Sequence, residues 1–260
     1  MLVSFLTITC EEVSATEYLG TVTYVNGWLP TDKLAKLTGD TVENNREFVA
    51  TFGYNITWLN YGNGITTKSA IWYADTYLAP AMRNATENDI FVLTSASGPM
   101  FLYELLVKKV PFKGHTAFVE TLNYGLPWPI VWLIDTAAKF AGEDIKTDTE
   151  FIHDLDPDSP MMIQVTQNMT GYKPDIQVLG WYWWIFDWFN IGAFDFWGVG
   201  SMFRPFPEPE PLVYNLDHVS FLQNETVIED MFTALNISKV NPSSQFLMLN
   251  ARGEPAGVFS

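Results

Sequence analysis

Three short stretches of this chain carry groups able to act together on a substrate. Thr94-Ser95-Ala96-Ser97-Gly98 is a run of small residues. An unbroken apolar run, Ile90-Phe91-Val92-Leu93, precedes it, and Met100, Phe101, Leu102, Leu105 and Leu106 follow at helical spacing. A strand that turns sharply into a helix through small residues lifts one side chain off the sheet edge. That is the shape of a nucleophile elbow, with Ser97 and Ser95 as the hydroxyls on offer. The same turn also serves any α/β protein without chemistry. The second stretch is Asn26-Gly27-Trp28, directly after an early strand. The third is Asp217-His218-Val219, after a last short strand and before a last helix. An imidazole there could take a proton from a serine hydroxyl and return it to a leaving group. Loops at the carboxyl ends of parallel strands share one edge of a sheet, so the three stretches can meet.

The elements that would position them follow from hydrophobic periodicity. Leu19–Val25 alternates and is rich in β-branched residues, which predicts a strand. Tyr54–Asn60, Ile90–Leu93, His115–Leu122, Ile176–Trp184 and Val213–Leu216 read as further strands. Thr31 or Asp32 can cap a helix or turn, and helical character is predicted for Asn44–Thr51, Lys68–Met82 and Ile130–Phe140. Pro99 is placed as the first residue of the elbow helix, where its missing N–H costs nothing. Residues 141–172 read as polar and irregular, and Pro205–Pro211 as a rigid extended connector. Asn224 should cap a closing amphipathic helix reaching Leu235. Strands alternating with helices indicate a mostly parallel sheet with helices on both faces. At 260 residues the chain suits one domain spanning 1–260, with an aromatic-rich lid or insertion at about 181–211.

Composition narrows the function. The formal net charge is -16 and only 17% of residues are charged, so a nucleic-acid partner is not expected. One cysteine, Cys10, allows no intrachain disulfide. No His/Asp/Glu cluster has metal-ligand spacing, so neither metal nor cofactor is expected, and His115 and His153 read as structural. Sequons at Asn55, Asn84, Asn168, Asn224 and Asn236 exceed a chance count of roughly two or three, which points weakly to a secreted or lumenal protein. The apolar N-terminus reads either as the tail of a signal segment or as a first strand.

In order and spacing these motifs resemble the α/β-hydrolase superfamily on its lipase and esterase side, over roughly residues 18–235. TYVNGW resembles the family's oxyanion loop, with Asn26 in place of the usual histidine. TSASGP resembles the elbow, HTAFVETLNYG the strand after it, Leu155-Asp156-Pro157-Asp158-Ser159-Pro160 an "L-x-P-x-S" segment, and LDHVSFLQNETVIEDMF the histidine loop and closing helix. The resemblance implies a serine carboxylic-ester hydrolase. His218 would be its base, and a carboxylate after the penultimate strand would orient that base, Asp187 first and Asp195 second. Oxyanion donors would come from Gly27 or Trp28 and from the residue after the nucleophile. One departure stands out. With Gly98 as the last glycine of Gly-x-Ser-x-Gly, the nucleophile position falls on Ala96. Three explanations are open: a serine-to-alanine substitution, a natural pseudo-enzyme, or a register shifted to Ser97. Ser97 is preferred because the His218 setting is intact. Ser95 is a third register, in which Leu93 is expected to crowd the turn.

Trp183, Trp184, Trp188 and Trp197 are too dense for one strand face, so part of Trp181–Phe206 should line a pocket or form an exposed patch. With low charge around it, that patch suits an apolar or lipid-like ester, or peripheral contact with a lipid surface. A non-catalytic protein of the same fold that binds an apolar ligand is the second expectation, and a structural glycoprotein the third. Oligomeric state is not readable from these residues.

Overall fold

The computed structural model describes residues 18–27, 32–59, 67–126, 131–132, 136, 149–180, 205–216 and 220–240. They contain six strands: β1 (Gly20–Val25), β2 (Tyr54–Leu59), β3 (Ile90–Ser95), β4 (His115–Thr121), β5 (Ile176–Gly180) and β6 (Leu212–Tyr214). All pair in parallel, in the order β2-β1-β3-β4-β5-β6. The chain leaves β1 toward one edge, then crosses back over β1 and fills the sheet toward the other. The reversal lies between β1 and β3.

Both faces of the central strands are covered, which is why they read as apolar runs. Ile90 and Val92 point into one core, Phe91 and Leu93 into the other. The first core is closed by α1 (Asp32–Asn44), α2 (Arg46–Ala50) and α8 (Glu225–Ala234), where Phe52 and Phe232 stack at 4.2 Å. The second is closed by α3 (Ala70–Tyr73), α4 (Ala79–Asn84), α5 (Ser97–Leu102), α6 (Thr149–Asp154) and α7 (Pro160–Asn168). Residues Ala74–Leu78 and Tyr103–Val107 form π-type turns that continue α3 and α5.

Most expected elements fall where the sequence puts them. Asn224 caps α8 by accepting from the N–H groups of Thr226 (3.0 Å) and Val227 (3.3 Å). Residues 131, 132 and 136 are helical within the segment predicted over Ile130–Phe140. Two readings are corrected. The stretch 141–172 contains α6 and α7 rather than only irregular chain. Its turn residues disguise a helix start: Ser159 accepts from Met162 N–H at 3.1 Å and Pro160 opens the helix. Met161, Met162 and Val165 then face the core. Pro99 is the third residue of α5, not the first.

β5 is described as far as Gly180, and the rest of the aromatic segment to residue 204 lies outside the described residues. Where the chain resumes, buried Gln177 of β5 grips the connector. It accepts from Phe206 N–H at 2.7 Å and donates to the carbonyls of Phe206 (3.1 Å) and Pro209 (2.6 Å). Among the described residues, no helix is long and apolar enough to cross a membrane.

Candidate active site

In an open parallel sheet the crevice for a ligand opens at the carboxyl ends of the strands, where the strand order reverses. Here that point lies between β1, which ends at Val25, and β3, which ends at Ser95. Two of the three chemical stretches therefore converge at the switch point of the sheet.

The turn after β3 is built around a strained residue. Ser95 has φ +53, the left-handed region, although it is not glycine. Such a conformation costs about 1 kcal/mol or more and persists only where the surroundings fix it. Several contacts fix it here. The Ser95 carbonyl accepts from Leu122 N–H at 3.0 Å. The Thr94 hydroxyl donates to the Val25 carbonyl at 3.2 Å. The third contact is Ser97, whose Oγ accepts from Thr94 N–H at 2.6 Å and lies 2.8 Å from each of the carbonyls of Val25 and Thr94.

These bonds decide what each hydroxyl can do. Ser97 is fully buried, and its oxygen ties the end of β1 to the end of β3. A hydroxyl so engaged is a brace and cannot reach a substrate. Ser95 is half-buried, and no hydrogen bond joins its hydroxyl to another described residue. Ala96 is fully buried in the core beside the elbow helix, so it is not a position from which a side chain projects toward solvent. Leu93 does not crowd the turn. It is fully buried among the core side chains one residue before Thr94.

The loop after β1 is pressed against this turn. A Cβ added to Gly27 would lie 2.5 Å from Ala96 N and 3.0 Å from Thr94 O, so only glycine allows this approach. The N–H of Ala96, the residue after Ser95, thus sits beside the backbone of the Asn26-Gly27 loop. Two backbone segments meeting beside a hydroxyl are the ingredients of an oxyanion hole. Asn26 is buried at the end of β1. Gly98 packs on β4, where a Cβ would come within 2.5 Å of Thr121 Cβ, so it serves helix packing.

Trp28, Asp187, Asp195 and His218 lie outside the described residues. His115 is at the amino end of β4, the opposite edge, and faces Asp175 at 3.4 Å. His153 is exposed on α6. Among the described residues, no group of three metal-ligating side chains occurs. A groove of about 380 Å³ runs beside Tyr124, Thr166, Tyr172 and Phe206, but none of the elbow residues lines it.

Glu120 is a residue that the sequence reading passed over. It is 1% exposed at the carboxyl end of β4, with φ +46, and its Oε1 accepts from Gly180 N–H at 2.7 Å. The signal was present in Phe118-Val119-Glu120-Thr121, a charge inside a strand otherwise apolar or β-branched.

The parallel sheet with helices on both faces, the left-handed residue ending its third strand and the glycine loop behind it define an α/β-hydrolase fold. No protein-family model and no curated protein sequence matches the chain. Among solved structures, the chain is similar to one reported under LipS and LipT, two metagenome-derived lipolytic enzymes. That likeness is 12% identical, covers 85% of this chain and 95% of the other, and has a TM-score of 0.49. It is also similar to the haloalkane dehalogenase DpaA from Paraglaciecola agarilytica NO2, at 10% identity, with 87% of this chain and 86% of that one covered and a TM-score of 0.43.

Proposed function

We propose that this chain is a serine hydrolase acting on carboxylic esters of apolar or lipid-like character, with Ser95 as its nucleophile. The observation that carries the reading is the left-handed backbone of Ser95 at the end of β3, with Gly27 held against the N–H of the next residue. In this mechanism Ser95 Oγ attacks the ester carbonyl carbon and loses its proton to the imidazole of His218. The carbonyl oxygen becomes an oxyanion, held by Ala96 N–H and by an N–H of the loop at residues 27–28. Collapse expels the alcohol, which takes the proton back from the imidazole. Water then repeats the sequence on the acyl-enzyme. The low charge of the chain and its aromatic segment support an apolar substrate.

Fluorophosphonate labelling with peptide mass spectrometry tests this directly, alongside hydrolysis of p-nitrophenyl butyrate. Label should appear on Ser95, be absent in Ser95→Ala and be lost in His218→Ala. Label on Ser97 instead would refute the register. A folded, unlabelled and inactive wild type would refute the enzyme and leave an apolar-ligand binder of the same fold.

A further inference from the structure

We infer that Glu120, rather than Asp187 or Asp195, is the carboxylate that orients the catalytic imidazole; this rests on the serine-hydrolase reading above. The inference begins with a break in the pairing of β3 and β4. Thr94 stands opposite Val119, but Ser95 stands opposite Thr121, so Glu120 is an extra residue in β4. A bulge of this kind re-aims a side chain at the price of local pairing. Strict alternation would send the Glu120 side chain the same way as Phe118, into the apolar core under the helices. The bulge and φ +46 turn it instead toward β5, where it accepts the N–H of Gly180.

Two non-glycine residues in left-handed backbone thus sit at neighbouring strand ends, Ser95 on β3 and Glu120 on β4. Strain of this kind persists where the surroundings hold a group in place for use. The carboxylate is held at the seam of β4 and β5, between the strand that carries the nucleophile and β6, whose following loop carries His218 in the sequence. Burying a carboxylate is costly unless charge or hydrogen bonds compensate it. A buried acid at this edge is therefore suited to a partner that gains positive charge during the reaction, as an imidazole does when it accepts the serine proton. Glu120 touches no substrate in this scheme and acts as a positioning residue.

The bland role for Glu120 is a tie between β4 and β5, and Glu120→Gln separates the two, because its amide oxygen still accepts from Gly180 N–H. The rate of fluorophosphonate labelling at Ser95 is measured against pH in the full-length wild type, Glu120→Gln, Asp187→Asn and Asp195→Asn, with a thermal melt of each. Glu120→Gln should melt within about 2 °C of wild type, label about 100-fold or more slowly, and shift its pH limb downward, since the imidazole has lost an anionic neighbour. Asp187→Asn and Asp195→Asn should label like wild type. A folded Glu120→Gln that labels normally, or loss of label in either aspartate variant, overturns the inference. If Glu120→Gln does not fold, the two aspartate variants decide: label kept in both supports the inference, and label lost in one refutes it. Absence of label on Ser95 in wild type removes the hydrolase reading itself, a separate result from a labelled wild type with an indifferent Glu120.

Discussion

Gly27→Ala tests the architecture of the site in one methyl group. The added Cβ would sit 2.5 Å from Ala96 N, 3.0 Å from Ala96 Cβ and 3.0 Å from Thr94 O. The first and last of these are backbone atoms and cannot rotate away. Since comfortable contact begins near about 3.5 Å, the β1 loop and the elbow must part by roughly 1 Å. Overpacking of this kind costs about 1–3 kcal/mol. In a protein of this size that lowers the melting temperature by about 3–10 °C. The functional loss is expected to be larger than the stability loss. A displacement of roughly 1 Å in a reacting geometry costs about 100-fold, and removing an oxyanion donor costs about 100- to 1,000-fold. The assay is the rate of fluorophosphonate labelling at Ser95, at a temperature where a circular-dichroism melt shows the variant folded. A variant that melts and labels like wild type would show that the Asn26-Gly27 loop does not back the elbow, and the oxyanion assignment would fall with it.

Two further variants probe the surroundings of the site. Ser97→Ala removes the oxygen that accepts from Thr94 N–H and braces Val25, leaving a backbone donor without its partner. It should cost about 1–3 kcal/mol in denaturant unfolding and leave Ser95 reactive at reduced rate; complete loss of label on a folded variant would contradict the brace. Glu104 is the titratable group to watch. Burial, then repulsion from Asp75, raises its carboxyl from 4.5 to about 7, against the pull of Lys108. The folded state therefore holds this proton more tightly than the unfolded one. Its contribution is complete below the ordinary carboxyl value and is lost as pH rises toward 7, by about 3 kcal/mol in all. Glu104→Gln should match wild type near pH 4 and be the more stable protein at pH 8. Equal denaturant midpoints at pH 8 would show that Glu104 is not held protonated.

The strands were legible because burial on both faces leaves an unbroken apolar run, as in Ile90–Leu93. The cap at Asn224 was legible because its chemistry is local. The elbow could be placed but not registered. Gly-x-Ser-x-Gly is a proxy for backbone space, and this chain supplies that space differently, with Gly27 opposite the turn and Ser97 tied down beneath it. Which serine projects depends on one backbone angle, φ at residue 95, and no count of residue types reports it. Glu120 was hidden for a related reason. A bulge shifts the pleat by one residue, and side-chain alternation read from sequence assumes a pleat without such a shift. Helix α7 was missed because its start, Asp158-Ser159-Pro160, is made of the residues that also make loops.

The order of the strands also sets a timetable. Gly27, Ser95, Ala96 and Glu120 all lie on the first four strands, which end at residue 121. Those strands are contiguous in the sheet, while β5 and β6 add to one side of a unit already laid down. A ribosome adding roughly 5–20 residues per second takes about 5–20 s to travel from there to the histidine at 218. Through that interval the nascent chain can shape its serine turn while the base is still unmade. Reactivity is the last property such a chain acquires during its own synthesis.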